Sequence, residues 1–579
     1  MSYKNNSLVG DRVAMLLSIA AIVLGLFFRC ANISDKVFWV DEVATAVRVS
    51  GYTISEVTNS LLQQDIVDRD TLLSYLTTDS SRLQDSLNAL TKSPEHAPLY
   101  FVLTRFWMQL WGNSIAVMRS LSVVFGLLIL PSLYWLCQEL YDRQLISWLS
   151  VGIMSISPFY VAYAQEARPY SLWTITILLM EASFFRAIRL NSKFAWCLYS
   201  LCLTIGLYTS LFSIHVAFFL GLYLLATINK KRWQIIVNFV GSTIISLIIF
   251  APWILVIVNH LDLLHDNTSW MRGNFNLADI IAVYIGTNLL IFGDLPLSQD
   301  TDPIQIAVAL IFVVFSILVG IKLYPLVQNK LVRFASVLLI SGLIFGSIEY
   351  FYLDWTTVVG ALVAIAILSL SAYSLYYLTI RENKRSWLYI ICLMLSLPLP
   401  LLIIDIINQG QSSTAPRYLI PLQLGVLIAV AYTVANKLST KQNKFWQFVV
   451  IAFWCLGIYS NVRNLNLSPF YQKGRNINNT AIAKIINRSS SALLIVESTE
   501  AMDAVSLAHS LKPEVKYKVI NTEDDLSSYL NRFDNIFLLK PTFDLEQKLI
   551  SNPQVDGIQV YKSHVFSEDE FPLNLWRIR

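Results

Sequence analysis

The sequence predicts an all-α polytopic membrane protein of about thirteen transmembrane helices, followed by a C-terminal extracytoplasmic α/β domain. Two compositional facts point there: 55% of the 579 residues are hydrophobic and only 14% are charged, with a mean hydropathy of +0.55. Soluble domains carry about 25% charged residues. The third observation is spatial, since the apolar residues gather in runs near the ~20 residues that one span needs. Roughly 320 hydrophobic residues suffice for a dozen or more such runs.

In chain order, the first run is Val13 to Phe28. No A-x-A-like cleavage site follows it, so it reads as a retained anchor and not as a signal peptide. A first external loop, residues 31–112, comes next and ends in the apolar stretch Leu99 to Trp111 (LYFVLTRFWMQLW). That stretch is too short to span and carries Arg105 and Gln109, so an interfacial amphipathic helix is expected. Six further runs follow: Ile115 to Leu140, Leu145 to Tyr163, Ser171 to Phe185, Phe194 to Tyr208, Leu211 to Ile228 and Ile235 to Val258. A second large external loop, 259–303, separates them from Ile304 to Ile321, Leu331 to Ser347, Thr356 to Ile380, Trp387 to Ile404, Tyr418 to Ala435 and Phe445 to Tyr459.

Positive charge tests the count, because adding or dropping one span moves every later loop to the other side. With thirteen spans, the loops on the N-terminal side hold Arg143, Arg186, Arg189, Lys193, Lys230, Lys231 and Arg232, and later Lys322, Lys330, Arg333, Arg381, Lys384, Arg385, Lys437, Lys441 and Lys444. The short loops opposite hold only Arg168 and Arg417. The N-terminus is therefore expected in the cytoplasm and the tail outside, in a multi-pass protein of the plasma (inner) membrane. Residues 1–460 form the membrane domain and 461–579 a soluble one. In the tail, β-rich runs (Ala492 to Val496, Val515 to Ile520, Asn535 to Leu539, Ile558 to Val560) alternate with helix-like stretches, as in a small α/β layer fold. It has no phosphate loop and no GxGxxG, so no catalytic role is assigned to it.

The six cysteines lie in or beside apolar runs without a CxxC pair, and histidines do not cluster, so neither disulfides nor structural zinc are expected. A net charge of +4 spread between spans also argues against nucleic acid as a partner.

Chemistry-bearing residues collect on one side. Asp41 and Glu42 follow the first span; Pro94-Glu95-His96-Ala97-Pro98-Leu99-Tyr100 leads into the short amphipathic helix; Arg119 starts the second span. Tyr163-Ala164-Gln165-Glu166-Ala167-Arg168-Pro169-Tyr170 joins the third and fourth runs, and Pro416-Arg417-Tyr418 enters the twelfth. Each motif alone is weak. Ionisable residues at a membrane interface are costly, however, and their default reading is functional.

Taken together and in this order, the DE pair, the HxPLY element, SPFYVAYAQEARPYSL (Ser157 to Leu172) and the late PRY resemble bacterial membrane glycosyltransferases of the GT-C superfamily. The branch is that of protein O-mannosyltransferases and the lipid A aminoarabinose transferase. The resemblance covers about the first 260 residues well and the late spans loosely. Ala97 stands where these enzymes usually carry the first of two prolines, and His96 where the aminoarabinose transferases carry a lysine.

The resemblance implies a GT-C fold, a polyprenyl-phosphate-linked sugar donor, and a glycan, lipid or protein acceptor outside the cytoplasm. It places Asp41 as general base, with Glu42 orienting it or touching the acceptor. Arg168 and Arg417 become phosphate ligands through their forked guanidinium groups. His96, Arg119, Glu166 and Tyr418 complete the donor phosphate and sugar site. Asp41, Glu42 and Glu166 are hard oxygen ligands that suit Mg²⁺ or Mn²⁺, but the arginines supply the same neutralisation, so no metal or other cofactor is expected. The rival class is a transporter or flippase of a lipid-linked glycan. Such proteins place charge near the bilayer midplane, where this chain offers only Glu181 and His215.

Overall fold

The computed structural model describes residues 2–295, 355–467, 475–551, 557–563 and 571–578, apart from positions 80, 230–231, 383, 441–442, 525 and 531. The long N-terminal helix α1 (Ser2–Cys30) leads to five shorter ones: α2 (Val40–Val49), α3 (Ile54–Gln63), α4 (Arg69–Ser74), α5 (Leu83–Thr91) and α6 (Leu99–Trp111). Local signals set their ends; Thr53 and Glu56, for instance, form a reciprocal capping box at the start of α3. There follow α7 (Ile115–Leu140), α8 (Gln144–Ile156), α9 (Pro158–Ala164), α10 (Tyr170–Leu190), α11 (Lys193–Thr209), α12 (Ser213–Thr227), α13 (Trp233–Asn259), α14 (Leu261–Asn267) and α15 (Leu277–Leu290).

Among the described residues eight helices are long and apolar enough to cross a membrane. They are Arg12–Cys30 within α1, then α7, α10 and α13, and the later Val359–Arg381, Arg385–Asn408, Pro416–Leu438 and Lys444–Leu465. The chain is thus a mostly helical, multi-pass membrane protein. Pro416–Leu438 lies at the centre, with 94% of its apolar window buried against 22% for α13.

Among the described residues the expected thirteen spans are not all found. Ile304 to Ile321 and Leu331 to Ser347 lie outside the described residues. At 17 and 15 residues, α11 and α12 reach only about 25 Å or less at 1.5 Å per residue, below the ~30 Å of hydrocarbon. The run Leu145 to Tyr163 is two helices, α8 and α9, bent by 62° at Ser157. Pro158 explains the break, because it has no N–H to continue the ladder and its ring crowds the preceding turn. The carbonyls freed by the bend are answered from distant parts of the chain: Arg29 donates to Met154 and Ser155, and Asn461 to Ile156 at 2.7 Å. In return Gln165 donates to the carbonyls of Phe28 and Ala31 at the end of α1. The contact needs a glycine at position 25, where a Cβ would stand 2.2 Å from the Ser155 carbonyl oxygen.

The short helix α6 has the two faces expected of it. Leu103, Phe106, Leu110 and Trp111 are exposed. Arg105 is fully buried and donates to Val49 O, Ser81 and Ser86, tying α6 to α2 and α5.

The C-terminal part is a five-stranded sheet of β1 (Ala492–Glu497), β2 (Lys516–Ile520), β3 (Asn535–Leu539), β4 (Ile558–Ser563) and β5 (Phe571–Ile578), ordered β2-β1-β3-β5-β4. β1 is parallel to both neighbours, and β5 runs antiparallel between β3 and β4. The sequence reading missed β5, whose Pro572 and left-handed Asn574 (φ 51°) interrupt a strand pattern. The free edge of β2 is covered by the first loop: Val67 and Tyr517 exchange backbone hydrogen bonds at 2.9 Å, and Lys518 donates to Gln64 O. Sheet and first loop share one packed core.

Candidate active site

The loop residues Val37 to Trp39 are apolar and buried, and they deliver the chain into α2. Asp41 and Glu42 occupy its first turn, where carboxylates are favoured by the helix dipole. Being adjacent, they point about 100° apart, and the structure gives them different surroundings. Glu42 is fully buried. Arg119 grips it through both oxygens at 2.7 Å, and the Ala167 N–H donates to it at 2.9 Å. The remaining Arg119 donors go to the carbonyls of Ile33, Lys36 and Val37.

All five guanidinium N–H groups of Arg119 are thereby used, and the side chain has no exposure. The expected role of Arg119 as a donor ligand does not fit this geometry; it is a buried clasp between α7, the first loop and, through Glu42, the loop that carries Arg168.

Asp41 keeps 27% of its side chain exposed and lies 3.9 Å from Arg168. Arg168 donates to Thr45 Oγ1 at 3.1 Å and to the Tyr170 hydroxyl at 3.3 Å, and stacks 5.6 Å over the Tyr170 ring. Arg417 approaches the same ring at 5.9 Å and also faces Trp270 (5.5 Å) and Tyr418 (5.2 Å). Among the described residues the Arg417 guanidinium meets aromatic faces and makes no side-chain hydrogen bond, which leaves its fork open to a ligand. Its position is set from below. Buried Asp405 accepts from the N–H groups of Ser412 and Ser413 at 2.8 and 2.7 Å, and Gln411 donates to the carbonyls of Trp270 and Met271. Two loops far apart in sequence are thus locked side by side.

A cleft opens beside these groups, lined by Glu95, His96, Phe101, Arg168, Tyr170, Trp173 and Tyr418. Glu95 is fixed by Arg48 (3.8 Å) and by Asn267, which donates to it at 3.0 Å, and the His96 ring lies beside it at 3.6 Å. Burial, followed by the charges of Arg48, Arg168 and Arg417, pushes the His96 imidazole well below its ordinary range. At neutral pH it is uncharged and can accept a hydrogen bond on one ring nitrogen.

Of the residues singled out in the sequence, His96, Arg168 and Tyr418 line the cleft, while Asp41 and Arg417 adjoin it through Arg168 and Tyr170. Glu166 is buried in the loop, its carbonyl accepting from Arg168 N–H, and is not part of the lining. Among the described residues no three His, Cys, Asp or Glu side chains come together as a metal site. The sequence reading passed over Thr45 and Arg48, although they follow Asp41 at the i+4 and i+7 spacing of one helix face. It named Tyr170, which both arginines touch, without giving it a role, and passed over Trp270, for which no local pattern exists.

One part of the chain has a recognised family pattern. Residues 95–256 match the family model described as dolichyl-phosphate-mannose-protein mannosyltransferase. The segment holds His96, Arg119, Glu166 and Arg168, in line with that part of the resemblance read from the motifs, while Asp41, Glu42 and Arg417 lie outside it. No curated protein matches the chain. Among solved structures, the chain is similar to ArnT from Cupriavidus metallidurans in the apo state (12% identity, 97% of both chains covered, TM-score 0.41). It is also similar to the same protein bound to undecaprenyl phosphate (13% identity, 97% of both chains, TM-score 0.39).

Proposed function

We propose that the protein is an integral-membrane glycosyltransferase that moves a sugar from a polyprenyl-phosphate-linked donor to an acceptor hydroxyl on the extracytoplasmic face. One observation carries the reading: Asp41, Arg168 and Arg417, which lie in three separate motifs, meet around Tyr170 at the rim of the cleft that His96 lines. The reaction needs those groups. The acceptor oxygen attacks the anomeric carbon, the bond to the lipid phosphate breaks, and that phosphate leaves with the bonding electrons. Arg168 and Arg417 neutralise its charge, while Asp41 takes the proton of the attacking hydroxyl. A single in-line displacement of this kind inverts the anomeric centre. His96, uncharged before binding, hydrogen-bonds the phosphate or the sugar. Glu42 and Arg119 hold Asp41 and Arg168 in register.

The family match over 95–256 supports the transferase class, and charge gathered at one cleft favours an enzyme over a carrier. The test is a transfer assay with purified protein, a lipid-phosphate sugar and mass spectrometry of the products. Transfer of the sugar supports the reading; movement of intact lipid-linked glycan across vesicles without transfer replaces it with the transporter.

A further inference from the structure

Helix α2 begins without a cap of its own. Trp39 at its N-cap has no side-chain acceptor to offer, although the first N–H groups of a helix have no partner within it. The missing acceptor comes from the C-terminal domain, more than four hundred residues away. Asn476 is 1% exposed, and its Oδ1 accepts from the Val40 N–H at 2.8 Å. Its Nδ2 donates to Asp503 Oδ1, also at 2.8 Å. Those two bonds leave no choice in the orientation of the amide. Asp503 is held in turn by Lys540 at 2.7 Å and Arg475 at 2.8 Å. A second relay runs beside the first: Asn479 donates to Ser506 Oγ, and Ser506 donates to the carbonyl of Phe38. The His509 ring stands edge-on to Phe38 at 5.0 Å.

The C-terminal domain therefore grips the residues just before Asp41 from two directions, by an N–H and by a carbonyl. Both relays start on side chains that salt bridges or packing have already fixed. Within α2 itself Glu42 is anchored toward α7 and the Asp41 carbonyl accepts from Arg168 at 3.3 Å, whereas the Asp41 carboxylate faces partly open space.

We infer that Asn476, backed by Asp503, is a positioning residue for the reaction: it sets the entry angle of α2 and hence where the Asp41 carboxylate stands relative to Arg168. This rests on the proposed transferase function. It gives the C-terminal domain a part in catalysis exerted through α2, without lending a group to the cleft.

Because misplacing a reacting group by ~1 Å can cost about 100-fold, Asn476→Ala should lower kcat by about 10- to 100-fold and leave the donor KM within about twofold. Asn476→Asp alone sets two carboxylates against each other and should be as impaired. The exchange Asn476→Asp with Asp503→Asn restores one acceptor for Val40 N–H and one donor between the two positions, and should recover most of kcat. Hydrogen–deuterium exchange of the peptide covering residues 38–46, measured on the full chain in detergent, reads the brace independently of any reaction. It should speed up at least tenfold in Asn476→Ala and return toward normal in the double exchange. Normal kcat with a folded Asn476→Ala protein, or unaltered exchange at residues 38–46, overturns the inference. So does a loss that falls equally on kcat and donor KM and is not rescued. Faster exchange in a protein that never transfers sugar would instead remove the proposed function and leave the brace standing.

Discussion

Arg119 closes on Glu42 through both carboxylate oxygens, and neither side chain has any exposure to solvent. Breaking a buried pair of this kind by removing one partner leaves an uncompensated charge and costs about 3 to 5 kcal/mol. Glu42→Gln and Arg119→Met should each lower the thermal unfolding midpoint and the yield of folded protein. Thermal unfolding in detergent checks this. A stable Glu42→Gln protein that has lost only turnover would move Glu42 into the chemistry.

Asp41→Asn should behave in the opposite way. It keeps the size and most hydrogen bonds of the aspartate but cannot take a proton, so the protein should fold and bind donor normally while transfer falls by about 10² to 10⁴. Single-turnover transfer, with donor affinity measured separately, decides it. Near-normal turnover would remove Asp41 as the base.

The two arginines should differ in how cleanly they read out. Arg417→Ala removes a side chain that, among the described residues, meets only ring faces, so about 100-fold weaker donor use, about 2.7 kcal/mol, should come with little change in stability. Arg168→Ala should weaken donor use as much and also destabilise, because Thr45 and Tyr170 lose a partner. Lysine should rescue either position only in part, lacking the fork. Donor KM and unfolding midpoints measured for all four variants test this; unchanged donor use in both alanine variants would return the arginines to a surface role.

Stability should fall in mild acid. Burial, with the charges of Arg69 and Arg119 adding to it and Glu42 opposing, pulls His509 down to about 4, below the ~6.5 of an unfolded histidine. Between those values the unfolded chain binds a proton that the folded chain refuses. The stabilisation is complete above pH 6.5 and is lost as pH falls toward 4, at up to about 1.4 kcal/mol per pH unit. Unfolding midpoints of wild type and His509→Phe between pH 7.5 and 4.5 should diverge accordingly. Parallel curves would show that His509 titrates normally.

Orientation can be read directly. A cysteine reporter near Thr440 should label only from the cytoplasm, and a tag fused after Arg579 only from outside, as the basic loops require. Swapped labelling, Thr440 from outside and the tag from the cytoplasm, would point to the bent pair α8–α9 or to α6 as an odd crossing, and labelling of both from one side would mean that Lys444–Leu465 does not cross.

What was legible in the sequence follows the range of the forces involved. Apolar runs report helices because burial is a local property of each run, and the Asp41, His96, Arg168 and Arg417 motifs stand out because charge beside apolar sequence is costly. The fate of Arg119 was illegible: its outward placement predicted a ligand, and only the carbonyls of residues 33, 36 and 37 folding over it make it a clasp. The same holds for Asn476, an ordinary polar residue in an unremarkable stretch until Val40 is brought against it. Pro158 did signal a break, but the hydropathy of α8 and α9 together masked it.

That break bears on how the protein is made. The carbonyls freed at Met154, Ser155 and Ile156 are quenched by Arg29, from α1 ahead of them in the chain, and by Asn461, from the helix Lys444–Leu465 about three hundred residues after them. In lipid an unanswered carbonyl costs several kcal/mol, so the kinked form cannot become fully stable until the ribosome has passed residue 461. A nascent chain halted before that point lacks the Asn461 bond that seals the bend leading into the Arg168 loop.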